Sequence, residues 1–181
     1  MLKPEARSPL AVVVMGVSGS GKTSVAERLA QRLGCQFIEG DRLHPAMNVE
    51  KMARGIPLTD DDRWPWLDLV GAELAAATQR GESVVVTCSA LKKIYRDRLR
   101  QESQGPLHFV FLTGDPELLE QRMGARKGHF MPTSLLQSQL ATLEDPRGEA
   151  GVVAVDIDAD LETIVDDAMQ KLEALPTTPG E

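Results

Sequence analysis

Short apolar runs alternate along this chain with longer stretches in which apolar residues recur every three or four positions. Leu10-Ala11-Val12-Val13-Val14-Met15 opens the series, and Gln36–Glu39, Ser83–Cys88, Leu107–Leu112 and Val152–Asp156 continue it. Runs this short, apolar or β-branched on both faces, read as strands of a sheet covered on both sides. Between them, Ser24–Leu33 carries Val25, Leu29 and Leu33, with Ala26 and Ala30, along one helical stripe. Helical spacing also marks Pro45–Arg54, a longer stretch from Thr59 or Asp60 to about Arg80, Leu91–Arg100 and Pro116–Arg126. The last two such stretches are Thr133 to about Leu143 and Leu161–Leu175. Gly34 stands where a helix C-cap is needed, and Pro65 falls near a helix start, where proline is tolerated.

Strands alternating with helices predict an α/β fold, a five-stranded parallel sheet with helices on both faces. The whole chain, 1–181, is expected to form a single domain with flexible tails at about 1–9 and 176–181. Ligands of such sheets bind at the carboxyl ends of the strands, so the informative residues are those just beyond each run.

Beyond the first run lies Gly16-Val17-Ser18-Gly19-Ser20-Gly21-Lys22-Thr23. Strand, glycine-rich loop, Gly-Lys-Thr and helix together make the full P-loop pattern in its required context. Glycines let successive backbone N–H groups curl around an anion where a Cβ would obstruct them, and the following helix adds its positive end. Lys22 supplies a point charge for the β/γ-phosphates of ATP, and the Thr23 hydroxyl is placed for Mg²⁺.

Composition narrows the remaining choices. The net charge of −7 and the scarcity of aromatic residues argue against a nucleic-acid surface. The apolar runs are far shorter than the roughly 20 residues of a membrane span. Residues 1–9 form a polar lead-in with no signal-peptide pattern, and the two cysteines, Cys35 and Cys88, look like small core residues. A soluble, cytoplasmic setting is the expectation. Three scattered histidines and two cysteines make no metal-ligand spacing.

The strand ends then read as a phosphotransferase site. Asp41, after the second strand, stands where a base would accept the proton of an attacking hydroxyl. The third strand ends in Thr87-Cys88-Ser89, without the aspartate many P-loop ATPases place there. That absence disfavours a motor or switch and suits a small-molecule kinase, whose Mg²⁺ is held by Thr23, water and phosphates. Arg122 and Arg126 share a helical face ahead of Gly128 and are expected to close over the transferring phosphate from a lid at about 122–140. His44, Arg63 and Lys92 are candidate acceptor contacts, with either cation able to meet an acidic group. Trp64, Trp66 and His108 read as packing residues.

These stretches resemble the gluconokinase family, within the small-molecule P-loop kinases that include shikimate kinase. The resemblance rests on the P-loop, Gly40-Asp41-Arg42-Leu43-His44-Pro45, Asn48–Met52, Pro57–Arg63, Cys88–Arg96 and Ala125–Phe130, and spans roughly residues 10–175. It implies ATP-dependent phosphorylation of D-gluconate at the 6-hydroxyl and a homodimer. It also implies an ATP loop at Gly16–Thr23, Asp41 as the activating acid, a lid region holding Arg122 and Arg126, and sugar-acid contacts at His44, Arg63 and Lys92. A sister kinase acting on another small acid such as shikimate, and a nucleotide-dependent binding module without an acceptor, are the alternatives.

Overall fold

A computed structural model describes residues 8–125 and 133–175 of the chain. Strands β1 (Ala11–Met15), β2 (Gln36–Glu39), β3 (Val84–Thr87), β4 (Leu107–Thr113) and β5 (Val152–Asp156) form one sheet in the order β2-β3-β1-β4-β5. Every pairing is parallel, and β1 sits at the centre, with Val13 beside Val86 on one flank and Phe109 on the other. The P-loop therefore leaves the middle of the sheet, with the ends of β2 and β3 on one side and those of β4 and β5 on the other.

Seven helices are described: α1 (Lys22–Leu33), α2 (Ala46–Ala53), α3 (Asp60–Gln79), α4 (Lys93–Glu102), α5 (Pro116–Ala125), α6 (Thr133–Thr142) and α7 (Leu161–Ala174). The period-two geometry of a strand divides its side chains between two cores. Val12, Val14, Val85, Val110 and Leu112 face α1, α7 and Leu136 of α6. Ala11, Val13, Met15, Val84, Val86, Phe109 and Phe111 face α3 and α4, where Trp66, Leu67, Val70, Leu74 and Leu99 are buried. Each fully buried large aliphatic or aromatic side chain contributes about 1.5–3 kcal/mol, so both faces of the sheet are held by packing.

Two helix starts and the place of one proline differ from the expectation, each for a local reason. α1 begins at Lys22, two residues early, because Gly21 at φ 86 turns the loop straight into the helix. Pro65 is the sixth residue of α3 and lies inside the helix, where it removes the N–H that Asp61 would otherwise receive. Thr59 and Asp62 form a capping box that secures this helix start. α4 begins at Lys93 and not at Leu91, because Ala90 is left-handed at φ 47 and Lys92 is still extended. A 3-10 turn at Gly40–Leu43 is too short for any periodicity to announce.

Arg96 of α4 has no solvent exposure and ties this region together. It donates to the carbonyls of Ala90, Leu91 and Glu144 at 2.8, 3.1 and 3.0 Å, and takes the Glu149 carboxylate at 3.0 and 2.7 Å. Of the stretch expected as a lid, Leu136 is fully buried in the core and 126–132 lies outside the described residues. No helix among the described residues is long and apolar enough to cross a membrane.

Candidate active site

The P-loop takes left-handed or related conformations at Gly16, Gly19 and Gly21, with φ 149, 83 and 86. A Cβ on Gly19 would press to 2.6 Å of Met123 Cγ, so α5 crosses directly over the loop. Lys22 Nζ donates to the carbonyls of Gly16 and Val17 at 3.0 and 3.1 Å, which folds its ammonium back over the loop. Ser18 N–H donates to Gln139 Oε1 at 2.7 Å, a tie from α6 to the loop crest. The Ser20 hydroxyl is buried and has no hydrogen-bond partner among the described residues.

A residue absent from the sequence reading enters here. Glu39, the last residue of β2, accepts from the hydroxyls of Thr23 at 2.9 Å and Thr87 at 2.6 Å. The strand order makes this possible, because β2 and β3 are neighbours and end side by side next to the P-loop strand. The β3 end that lacks an aspartate is thus served by a carboxylate from β2, with Thr87 holding it in place. A carboxylate two residues before Asp41 was the available signal, but without the sheet order Glu39 read only as a strand terminus. Thr23 directs its proton to Glu39, which leaves its oxygen lone pairs for a cation. Hydroxyl and carboxylate oxygens of this kind suit Mg²⁺, which takes one or two protein ligands and completes its shell with water and phosphate.

Between Glu39 and Asp41 the chain has no freedom. Gly40 N–H donates to Thr87 Oγ1 at 3.1 Å, and Trp66 Nε1 donates to the Gly40 carbonyl at 2.8 Å. A Cβ at this position would overlap the Thr87 carbonyl oxygen. Asp41 emerges from this pinned glycine into solvent, on the exposed face of the 3-10 turn. His44 follows three residues later, its ring stacked on Trp66 at 4.0 Å with Asn48 Nδ2 at 3.2 Å from its Nδ1. Burial lowers the His44 pKa, Asp41 opposes and Arg63 adds to the lowering, so the ring is neutral at physiological pH.

The two candidate acceptor cations differ in their surroundings. Lys92 Nζ lies 3.1 Å from Asp60 Oδ1, and the Tyr95 hydroxyl donates to the same oxygen. Those two hydrogen bonds, Tyr95 first and Lys92 second, hold the Asp60 carboxyl below its ordinary range. Arg63 stands 5.4 Å above the Tyr95 ring, and its Nη2 makes a long approach of 3.5 Å to the Leu58 carbonyl. Its Nε is buried with no hydrogen-bond partner among the described residues. Burial pushes the Cys88 thiol, at the end of β3, up to about 12, and the charges of Asp41, Lys22 and Arg63 all reach it. These three side chains therefore converge on one strand end.

Arg122 departs from its expected position over the phosphate. Its Nη2 donates to the Ile157 carbonyl at 2.6 Å and lies 3.5 Å from that of Ala159, so it lies against the β5–α7 loop. Arg126 lies outside the described residues. Trp66 and His108 are packed as expected, His108 half-buried with its pKa lowered by burial. Trp64 meets Tyr95 edge-on at 5.9 Å.

Comparison with known proteins agrees with this arrangement. A family described as an AAA domain matches residues 12–146. The thermoresistant gluconokinase of Escherichia coli K12 is 51% identical over 155 residues, 84% of this chain and 87% of that protein. The gluconokinase of Gluconobacter oxydans 621H is 48% identical over 166 residues, 92% of this chain and 93% of that protein. The crystal structure of a gluconokinase from Sinorhizobium meliloti 1021 superposes with a TM-score of 0.84 at 58% identity, covering 92% of this chain and 93% of that one. A central P-loop strand and an Asp41-bearing turn, matched over nearly the whole length to these enzymes, place this chain in the gluconokinase family of P-loop kinases.

Proposed function

We propose that the chain transfers the γ-phosphoryl group of ATP to the 6-hydroxyl of D-gluconate, giving 6-phospho-D-gluconate and ADP. The observation that carries this reading is the Glu39-Gly40-Asp41 segment. It sets one carboxylate against Thr23 of the donor loop and the next one out into solvent, which supports a role for Asp41 toward a bound acceptor. Gly16–Thr23 hold the triphosphate through backbone N–H groups, and Lys22 exchanges its loop carbonyls for the β/γ-phosphates. Thr23, with Glu39 behind it, would hold Mg²⁺, which when bound neutralises charge on the phosphates. Asp41 takes the proton of the attacking hydroxyl, and His44, Arg63 and Lys92 position the sugar acid. Arg122, at the β5–α7 loop, belongs to the nucleotide side. By family resemblance the enzyme works as a homodimer in the cytoplasm, with 1–181 as one domain and about 122–140 as its lid.

The test is an ADP-release assay across gluconate, shikimate, other sugar acids and nucleoside monophosphates. Gluconate is expected to be turned over with the highest kcat/KM. Turnover of another acceptor with none of gluconate would refute the substrate assignment, and ADP release indifferent to every acceptor would favour the binding-module alternative.

A further inference from the structure

We propose that the acceptor's acidic group is received by the guanidinium of Arg63, and that Asp60 makes this choice by occupying Lys92. The inference rests on the gluconate reading above and assigns, within that site, which cation meets the carboxylate.

The two cations start from different states. Lys92 is already paired: Asp60 Oδ1 and Oδ2 lie 3.1 and 3.4 Å from Nζ, and Tyr95 donates to the same carboxylate. A carboxylate ligand at Lys92 would have to displace an ion pair that α3 and α4 hold from both sides. Lys51, also on the acceptor side of the sheet, is paired in the same way with Asp62 at 2.8 Å. Arg63 has no carboxylate within ion-pair distance among the described residues; its contacts are the Tyr95 ring and the 3.5 Å approach to Leu58. A guanidinium offers parallel N–H donors in a fixed fork, the geometry that takes a carboxylate bidentately. Arg63 is under-satisfied here, with a single long approach to Leu58 and an Nε that is buried with no partner among the described residues. Leaving a guanidinium short of acceptors is costly, and a carboxylate from the substrate supplies two at once.

With Lys92 paired to Asp60 and Lys51 to Asp62, Arg63 is the one of these three cations with no carboxylate at ion-pair distance among the described residues. Lys92 then keeps its remaining N–H donors for hydroxyl groups along the acceptor chain. Asp60 is a positioning residue in this scheme: it acts on substrate choice through Lys92 and touches no reacting atom.

The test compares kcat/KM for D-gluconate with that for D-glucitol, the neutral polyol carrying CH₂OH where gluconate carries its carboxylate. Arg63→Gln is expected to reduce the gluconate-to-glucitol ratio on the order of 10²-fold. Adding Asp60→Asn to Arg63→Gln releases Lys92 to take the carboxylate and is expected to restore about tenfold of the lost ratio. Gluconate binding by calorimetry in each variant reads the same quantities without turnover, and Arg63→Lys, which keeps the charge but loses the fork, serves if Arg63→Gln fails to fold. The proposal is overturned if Arg63→Gln keeps its gluconate preference while Lys92→Met or Arg42→Gln loses it. It is equally overturned if the double variant recovers nothing. A parent enzyme that ignores gluconate and phosphorylates another acid would instead overturn the substrate reading itself.

Discussion

Replacing Arg96 by leucine tests whether the buried guanidinium on α4 is the structural link between the β3–α4 and α6–β5 segments. The substitution leaves the carbonyls of Ala90 and Glu144 without the Arg96 donor, while that of Leu91 keeps the Glu144 N–H at 2.8 Å. Glu149 keeps one partner, Arg100 at 3.0 Å, so its carboxylate is weakened and not wholly orphaned. Breaking a buried pair from one side costs about 3–5 kcal/mol, and the surviving Arg100 contact favours the lower end. For a chain of this length each kcal/mol moves the midpoint by about 2–4 °C, which gives a Tm fall of about 10 °C in scanning calorimetry at pH 7. Arg96→Lys, with charge but no fork, falls between the two. The pH dependence has a definite sign. Burial pushes Glu149 up, but its bonds to Arg96 and Arg100 prevail and hold it below the usual glutamate range. The pair's contribution is therefore complete above the unfolded-state value and drains away as pH falls through the folded-state value. The gap in Tm between parent and variant should narrow across that acid window. A midpoint lowered by less than about 3 °C at pH 7 would refute the argument, since that is the scale of an exposed pair.

Other outcomes follow from the β2 end. Glu39→Gln keeps both threonine contacts sterically possible but removes the charge, and is expected to raise the Mg²⁺ concentration for half-maximal activity by about 10- to 100-fold; an unchanged metal titration would remove Glu39 from the cation site. Asp41→Asn should lower kcat by about 10²- to 10⁴-fold while nucleotide affinity, read by fluorescent ADP displacement, stays close to the parent. A kcat within a few-fold of the parent would mean that another group takes the proton. Gly40→Ala drives a methyl group into the Thr87 carbonyl and should lower both Tm and kcat; a variant matching the parent in both would show that the strand end yields freely.

The sheet, its helices and the phosphate loop were legible because each rests on short-range chemistry: β-branched runs, helical spacing, and glycines before Lys22. What the sequence withheld depends on neighbours distant along the chain. Glu39 gained its role only from β2 lying beside β3, where Thr87 and Thr23 converge on its carboxylate. Arg63 and Lys92 were indistinguishable as cations until Asp60 was seen to hold one of them. Arg122 shares a predicted helical face with Arg126, yet its guanidinium donates to the Ile157 carbonyl just beyond β5, a neighbour that spacing alone could not foretell. Pro65 inside α3 shows the same limit, since the packing of Trp66 and Leu67 overrides local propensity.

The glycine between Glu39 and Asp41 bears on how such an enzyme could diversify. With its N–H, its carbonyl and the space for a side chain all taken up by Thr87 and Trp66, the offset between the two flanking carboxylates is a main-chain dimension. The proposed acceptor contacts, by contrast, stand on helix starts and turns: His44 before α2, Arg63 in α3, Lys92 before α4. Those positions can be repainted by single substitutions without disturbing the strand ends. Divergence toward other hydroxy acids is therefore open to this scaffold through its helices, while the spacing between the Glu39 and Asp41 carboxylates is held by the main chain.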